Sequence, residues 1–193
     1  QGRFLAARAA LQTSDVRVFL DAVSTGPMVF GPRPTPRDDW TFDVGGLAGH
    51  LARSVLQVEW FLDGPTAGAE PVSPVHYYAR LKGTALPGSA LNVGVRARSE
   101  ETSAAGPGAV AEQTRAAWER LTRRLFQEPE DRRVAVLHRP GEEMSLDGYL
   151  QTRCVELTVH LEDLALSVNS RVRAPEGAVA LAVDVLVAAA RAR

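Results

Sequence analysis

The residues of this 193-residue sequence with most chemistry to offer are its four histidines, its one cysteine, and a glutamate and histidine one helical turn apart. That pair, Glu156 and His160, lies in a segment whose leucines, Leu146, Leu150, Leu157, Leu161 and Leu164, recur at helical spacing. On a wheel of about 100° per residue the leucines form a core seam, and Tyr149, Arg153, Glu156 and His160 line one flank of it. A carboxylate and an imidazole at i and i+4 either ligate one metal ion or form an ordinary surface pair. Their place beside a seam that must meet another helix favours the metal. A third ligand then has to come from a facing helix. His50 occupies a comparable flank beside Val44, Leu47, Ala48, Leu51, Val55, Val58 and Leu62, either as that ligand or as a hydrogen-bonded boundary residue.

The other reactive groups carry less. Cys154 falls on the opposite flank of the leucine seam from Glu156 and reads as a packed core thiol. Asp163 either orients His160 or faces solvent, with solvent the narrowly preferred reading. His76, beside Tyr77 and Tyr78, and His138, before a turn, are expected at the surface. Gly45 and Gly46 permit close backbone approach, but no phosphate-loop spacing follows them, so nucleotide binding has no support.

Positioning these groups requires long helices. The periodicity predicts one from about Arg3 to Val23, ended by Gly26 and Pro27, then an extended connection from Gly31 to Asp39 through three prolines. A second helix starts at an Asp43 N-cap and runs to Leu62, before Asp63, Gly64 and Pro65 stop it. Between Pro71 and Gly108 only a helical turn at Pro74 to Arg80 and a short helix at Ala90 to Ser99 are legible. A third long helix covers about Gly108 to Phe126, with Val110, Thr114, Ala117, Leu121 and Leu125 inward. A strand-like run from Val134 to Leu137 precedes the Arg139, Pro140, Gly141 turn. The fourth long helix runs from Ser145 to about Val168, with Asn169 as its stop. The last begins after Pro175 and carries Val179, Val183, Leu186, Val187 and Ala190. The expected fold is a single all-α domain over residues 1–193, an up-and-down four-helix bundle with additional short helices.

Composition narrows the function classes. Twenty-two basic residues against 23 acidic ones leave a net charge of −1, without the basic footprint of a nucleic-acid binder. No apolar run approaches the roughly 20 residues needed to cross a bilayer, and Arg3, Arg8 and Asp15 interrupt the first 20 residues, so neither a membrane span nor a signal peptide is expected. A lone cysteine excludes an intramolecular disulfide and fits a reducing cytosol, so a cytoplasmic monomer or homodimer is expected.

Two stretches then resemble a known family. Trp40-Thr-Phe-Asp-Val-Gly-Gly-Leu-Ala-Gly-His50-Leu and the later Thr152-Arg153-Cys-Val-Glu156-Leu-Thr-Val-His160-Leu-Glu-Asp163-Leu are similar to the mycothiol-dependent maleylpyruvate isomerase N-terminal domain family, within the DinB-like metalloenzyme superfamily. The second motif is the more specific. The resemblance implies a DinB-like four-helix bundle whose divalent metal, usually zinc, is held by His50, Glu156 and His160. It also implies mycothiol as thiol cosubstrate. Arginine at 21 of 22 basic positions, 29 alanines and no isoleucine are the residue usage of a GC-rich bacterial genome, in keeping with an actinobacterial source. The isomerase also carries a C-terminal sterol-carrier-like domain, for which 193 residues leave no room, so the activity expected is the broader one of thiol S-transfer or thiol-assisted isomerisation on a small electrophile.

Three protein ligands leave a tetrahedral ion one open position, the arrangement of a catalytic zinc. Two neutral imidazoles and one carboxylate leave a net charge of about +1, which lowers a thiol's pKa from about 8.5. Zinc, nickel or another divalent ion suits such a donor set. Arg153 is the expected substrate-binding or catalytic cation, or else a partner of Glu156. Arg80 is the expected contact for the thiol cosubstrate. A filled fourth position would instead make the chain a non-catalytic metal-binding module.

Overall fold

The computed structural model describes residues 43–66, 68–81 and 88–193. The helix expected at Arg3 to Val23, the connection after it and the Trp40 end of the first motif lie outside the described residues. Among the described residues there are six helices and one two-stranded hairpin. In chain order these are α1 (Val44–Asp63), α2 (Pro74–Ala79), α3 (Ala90–Ser103), α4 (Pro107–Leu125), β1 (Arg133–Ala135), β2 (Glu143–Ser145), α5 (Leu146–Ser167) and α6 (Glu176–Arg191). None of these helices is long and apolar enough to cross a membrane.

α1 is the central helix. It begins where expected, with the Asp43 carboxylate accepting from Gly46 N at the N-cap. Its whole predicted stripe, Val44 to Leu62, is buried. α3, α4 and α5 all pack on it. Gly49 decides how close α3 comes: a Cβ there would collide with the backbone carbonyl of Ser99. Only a residue without a side chain lets the two backbones meet at this point. α3 itself runs to Ser103, four residues beyond the expected Ser99.

α4 buries Val110, Thr114, Ala117, Leu121 and Leu125, as its spacing predicts. Gly106 before it has φ 89°, and Pro107 fills the first helical position, where its missing N–H costs nothing. Arg120 spans from α4 to α1 with two hydrogen bonds to the Glu59 carboxylate, at 2.9 and 2.7 Å.

The strand-like run at Val134 is real but shorter than expected. It pairs antiparallel with β2, so that Val134 faces Met144 and Ala135 faces Glu143. β2 was not predicted, because its three residues, Glu-Met-Ser, carry no alternating pattern. The hairpin leads directly into α5, whose Ser145 N-cap accepts from Gly148 N at 3.0 Å. At the other end Asn169 takes φ 54°, and Ser170 N donates to Ala165 O at 2.8 Å, closing the helix as a Schellman turn.

α6 corrects the sequence reading. Val179, Val183, Leu186, Val187 and Ala190 are exposed, and the buried face is Ala178, Ala182, Val185 and Ala189. Three alanines on this face let α6 lie close against α5, while Val179, Val183 and Val187 stay outside. α6 also packs on α2, and Arg193 donates to the carbonyl of Tyr78 at 3.3 Å.

Candidate metal centre

α1 and α5 cross with their histidine-bearing flanks facing one another. His50 Nε2 lies 3.4 Å from Glu156 Oε2, and His160 Nε2 lies 3.5 Å from the same oxygen. One ligand atom from each of His50, Glu156 and His160 falls within 4.8 Å of the others. Donors about 2.0 to 2.2 Å from a shared tetrahedral ion stand about 3.3 to 3.6 Å apart. The two separations to Glu156 Oε2 fall inside that span, so the three residues form a cluster that could hold a divalent ion. The imidazoles meet edge to face, with ring centroids 4.7 Å apart. The side chains are 18%, 21% and 27% exposed, so the cluster is partly in contact with solvent.

Two of the three clustered side chains are held from behind. His160 Nδ1 donates to Asp163 Oδ2 at 3.0 Å, which fixes the proton on Nδ1 and turns Nε2 toward Glu156. Asp163 is therefore a positioning residue as well as a half-exposed one, which corrects the preference for a purely solvent role. Glu156 Oε1 accepts from the Tyr78 hydroxyl at 2.9 Å, and that hydroxyl also lies 3.1 Å from Thr152 O. Its single proton is shared between the two acceptors. Tyr78 comes from α2, seated on the start of α5 where a Cβ on Gly148 would press on Pro74. Sequence reasoning missed Tyr78. The signal was a Ser73 N-cap followed by Pro74 at N1, which marks a true helix rather than a loose turn.

Charge in the ion-free site is already arranged. Burial acts to raise the Glu156 carboxyl, but hydrogen bonds from His160 and His50 and the nearby Arg153 charge hold it well below the usual carboxylate range. Burial acts to lower His160, yet Asp163 and Glu156 outweigh it and push the imidazole up to about 9. Burial dominates at His50, which is lowered. Ion-free, the centre is thus an anionic Glu156 facing a protonated His160 and a neutral His50, and the protonated His160 holds the place a cation would take.

The remaining predicted residues divide. Arg153 is at the centre but buried, 6% exposed, not on an open flank. Its Nε donates to Thr152 Oγ1 at 3.1 Å, and its guanidinium lies over the Tyr149 ring, 5.1 Å from the centroid. Arg80 is turned elsewhere: it is exposed and donates to Glu142 Oε2 at 2.7 Å. Cys154 is fully buried among apolar neighbours, as expected of a core thiol. His76 and His138 are exposed, and His138 Nε2 lies 3.0 Å from the Tyr77 hydroxyl.

The family model of the mycothiol maleylpyruvate isomerase N-terminal domain matches residues 32–165, which include all three clustered ligands and every element from α1 to most of α5. No curated protein and no solved structure matches the chain. The family's name ties it to a thiol-linked isomerase, and the His50, Glu156, His160 cluster on a mostly helical DinB-like fold gives that link a metal-capable site. With more than half its length matched, the chain belongs to the mycothiol maleylpyruvate isomerase N-terminal domain family.

Proposed function

We propose that the protein is a metal-dependent thiol S-transferase or thiol-assisted isomerase, with zinc as its ion, mycothiol as cosubstrate and a small electrophile as second substrate, acting in the cytoplasm. The observation that carries this reading is the convergence of His50 Nε2 and His160 Nε2 on one oxygen of Glu156, with all three side chains partly exposed to solvent. A divalent ion held there would supply the positive charge that favours the thiolate form of the cosubstrate.

The chain's own residues then have distinct work. Asp163 and Tyr78 keep His160 and Glu156 in the ligating orientation, so that little ordering is left to occur on binding. Glu156 supplies the one negative charge among the ligands, which leaves the centre net positive toward an incoming sulfur. Arg153 places a permanent cation beside the centre, suited to an anionic group on a substrate. Arg80 is the proposed contact for the thiol cosubstrate, and reaching it requires exchange of its bond to Glu142.

The test is metal analysis of the purified protein, then calorimetric titration with mycothiol before and after chelation. Stoichiometric zinc and thiol binding that disappears with the ion are expected. A stoichiometric ion with no thiol binding would leave the site as a non-catalytic metal-binding module. Thiol binding unaffected by chelation would remove the metal from the mechanism.

A further inference from the structure

Behind the three ligands lies a second set of polar groups that the ligand cluster does not use. Arg153 is buried, and among the described residues only its Nε donates, to Thr152 Oγ1; neither terminal nitrogen meets an acceptor there. Among the described residues no carboxylate lies within ion-pair distance of it, although Glu156 is close enough for each to influence the other's charge. The hydroxyl of Tyr149, a residue 2% exposed, has no hydrogen-bond partner among the described residues. Tyr149 is itself fixed, stacked on Phe61 with centroids 4.5 Å apart and planes 12° apart, one helical turn before Arg153. A buried hydroxyl without a partner is a costly feature that proteins retain where a ligand completes it, and the Arg153 guanidinium lies over its ring with two terminal nitrogens uncommitted.

We propose that Arg153 and Tyr149 form a carboxylate-binding subsite beside the metal centre, which takes a carboxylate carried by the electrophilic substrate. The proposal rests on the thiol-dependent reading above and adds to it the chemistry of a substrate. Planar guanidinium presents parallel N–H donors that match the two oxygens of a carboxylate, and the tyrosyl O–H adds a third donor. Burial raises the Tyr149 hydroxyl pKa, so it stays protonated and can only donate to an anion. The charge count selects a monoanion. Once an ion takes up the Glu156 charge, Arg153 is a buried cation without a counter-charge, and one carboxylate restores the balance, whereas a phosphate dianion would overshoot it.

The experiment measures binding to zinc-loaded protein by ligand-observed NMR, so that no turnover is needed. The probes are butanoate against butanamide, each with and without saturating 2-mercaptoethanol, and 4-mercaptobutanoate against 4-mercaptobutanamide. Wild type is expected to bind acid over amide by about tenfold or more, as a charge-assisted hydrogen-bonded pair implies. Arg153→Met should erase that preference, and Tyr149→Phe should reduce it severalfold with zinc content unchanged. Because the hydroxyl bonds to nothing in the protein, Tyr149→Phe should leave Tm unchanged or raised. If Arg153→Met does not fold, Arg153→Lys takes its place: charge is kept, the fork is lost, and the preference should fall.

Equal binding of acid and amide by wild type overturns the proposal. So does a preference that survives both the Tyr149 and the Arg153 variants, because an acid held by zinc alone would behave in that way. The two possible carriers separate as well. A gain confined to 4-mercaptobutanoate would put the carboxylate on the thiol, which mycothiol lacks, and would overturn the assignment to the electrophile, whereas butanoate binding alongside 2-mercaptoethanol supports it. If sulfur confers no gain in any arm, the thiol reading fails while the acid-to-amide ratio still decides the subsite.

Discussion

Replacing Glu156 with Gln is the sharpest perturbation of the centre, because one side chain meets both histidines, at 3.4 and 3.5 Å, and Tyr78, at 2.9 Å. The amide keeps the shape and removes the charge. Groups that merely orient a ligand typically contribute about 10- to 100-fold to metal affinity, so loss of the anionic ligand itself should weaken zinc by more than about 100-fold, or ~2.7 kcal/mol. Stability should fall less. Breaking a fully buried ion pair costs about 3–5 kcal/mol, but Glu156 and its histidines are each about a fifth or more exposed, so solvent screening reduces this to about 1–2 kcal/mol. For a chain of this size that is a Tm drop of about 2–8 °C with helicity intact. Zinc competition against a chromophoric chelator, circular dichroism and turnover of an electrophile with mycothiol measure the three effects. Cys154→Ser is the control, since that thiol is packed in the core and outside the cluster. Wild-type zinc affinity in the Glu156 variant would refute the ligand assignment. Full activity in its zinc-free form would refute the metal mechanism, and loss confined to the Cys154 variant would indicate a nucleophile borne by the protein.

Chelation of the wild type should lower Tm without unfolding the chain, because the apolar cluster shared by α1, α4, α5 and α6 does not include the ligands; a largely unfolded apoprotein by circular dichroism would contradict this. Gly49→Ala forces a Cβ into the Ser99 carbonyl and should destabilise by about 1–2 kcal/mol, the overpacking cost exceeding the gain in helix propensity, and should also weaken zinc through the adjacent His50. Gly177→Ala in α6, where a Cβ meets nothing within 4 Å, should be neutral or stabilising, and thermal melts of the two variants check the contrast. His138 is lowered to about 4 by burial and by Arg153 and Arg139, so the unfolded chain takes up its proton first as pH falls. Its contribution to stability is complete above about pH 6.5 and is lost between there and about pH 4. Because His138 as a residue is more than a third exposed, although its ring packs on Phe61 and Tyr77, the effect should be small, a shallower fall in the Tm of His138→Asn than of wild type across that window; parallel falls would show that the ring is not coupled to folding.

Much of this centre is written in local sequence. Helical spacing alone puts Glu156 and His160 on one face, and the stripes of α1, α4 and α5 are so regular that every inward residue named for them is buried. Start and stop signals are local as well: the side chains of Asp43 and Ser145 cap the backbone a few residues on, and Asn169 ends α5 in its own left-handed turn. What tertiary structure decided are contacts between residues far apart in the chain, where periodicity has nothing to say. That His50 meets Glu156 follows from the crossing of α1 and α5, and the fit of α1 against α3 depends on the missing side chain of Gly49. Tyr78 reaches Glu156 only because α2 seats on the start of α5, and no spacing within Ser73 to Arg80 encodes that distance. α6 shows the limit most clearly. Its valines and leucine make the more hydrophobic stripe, yet its alanines are buried, because close approach to α5 rewards small side chains where the pattern rewards large ones. Arg153 is the same lesson in charge: a wheel places it on a flank, and only the packing of Tyr149, Thr152 and Phe61 around that flank turns it into a buried cation with donors to spare.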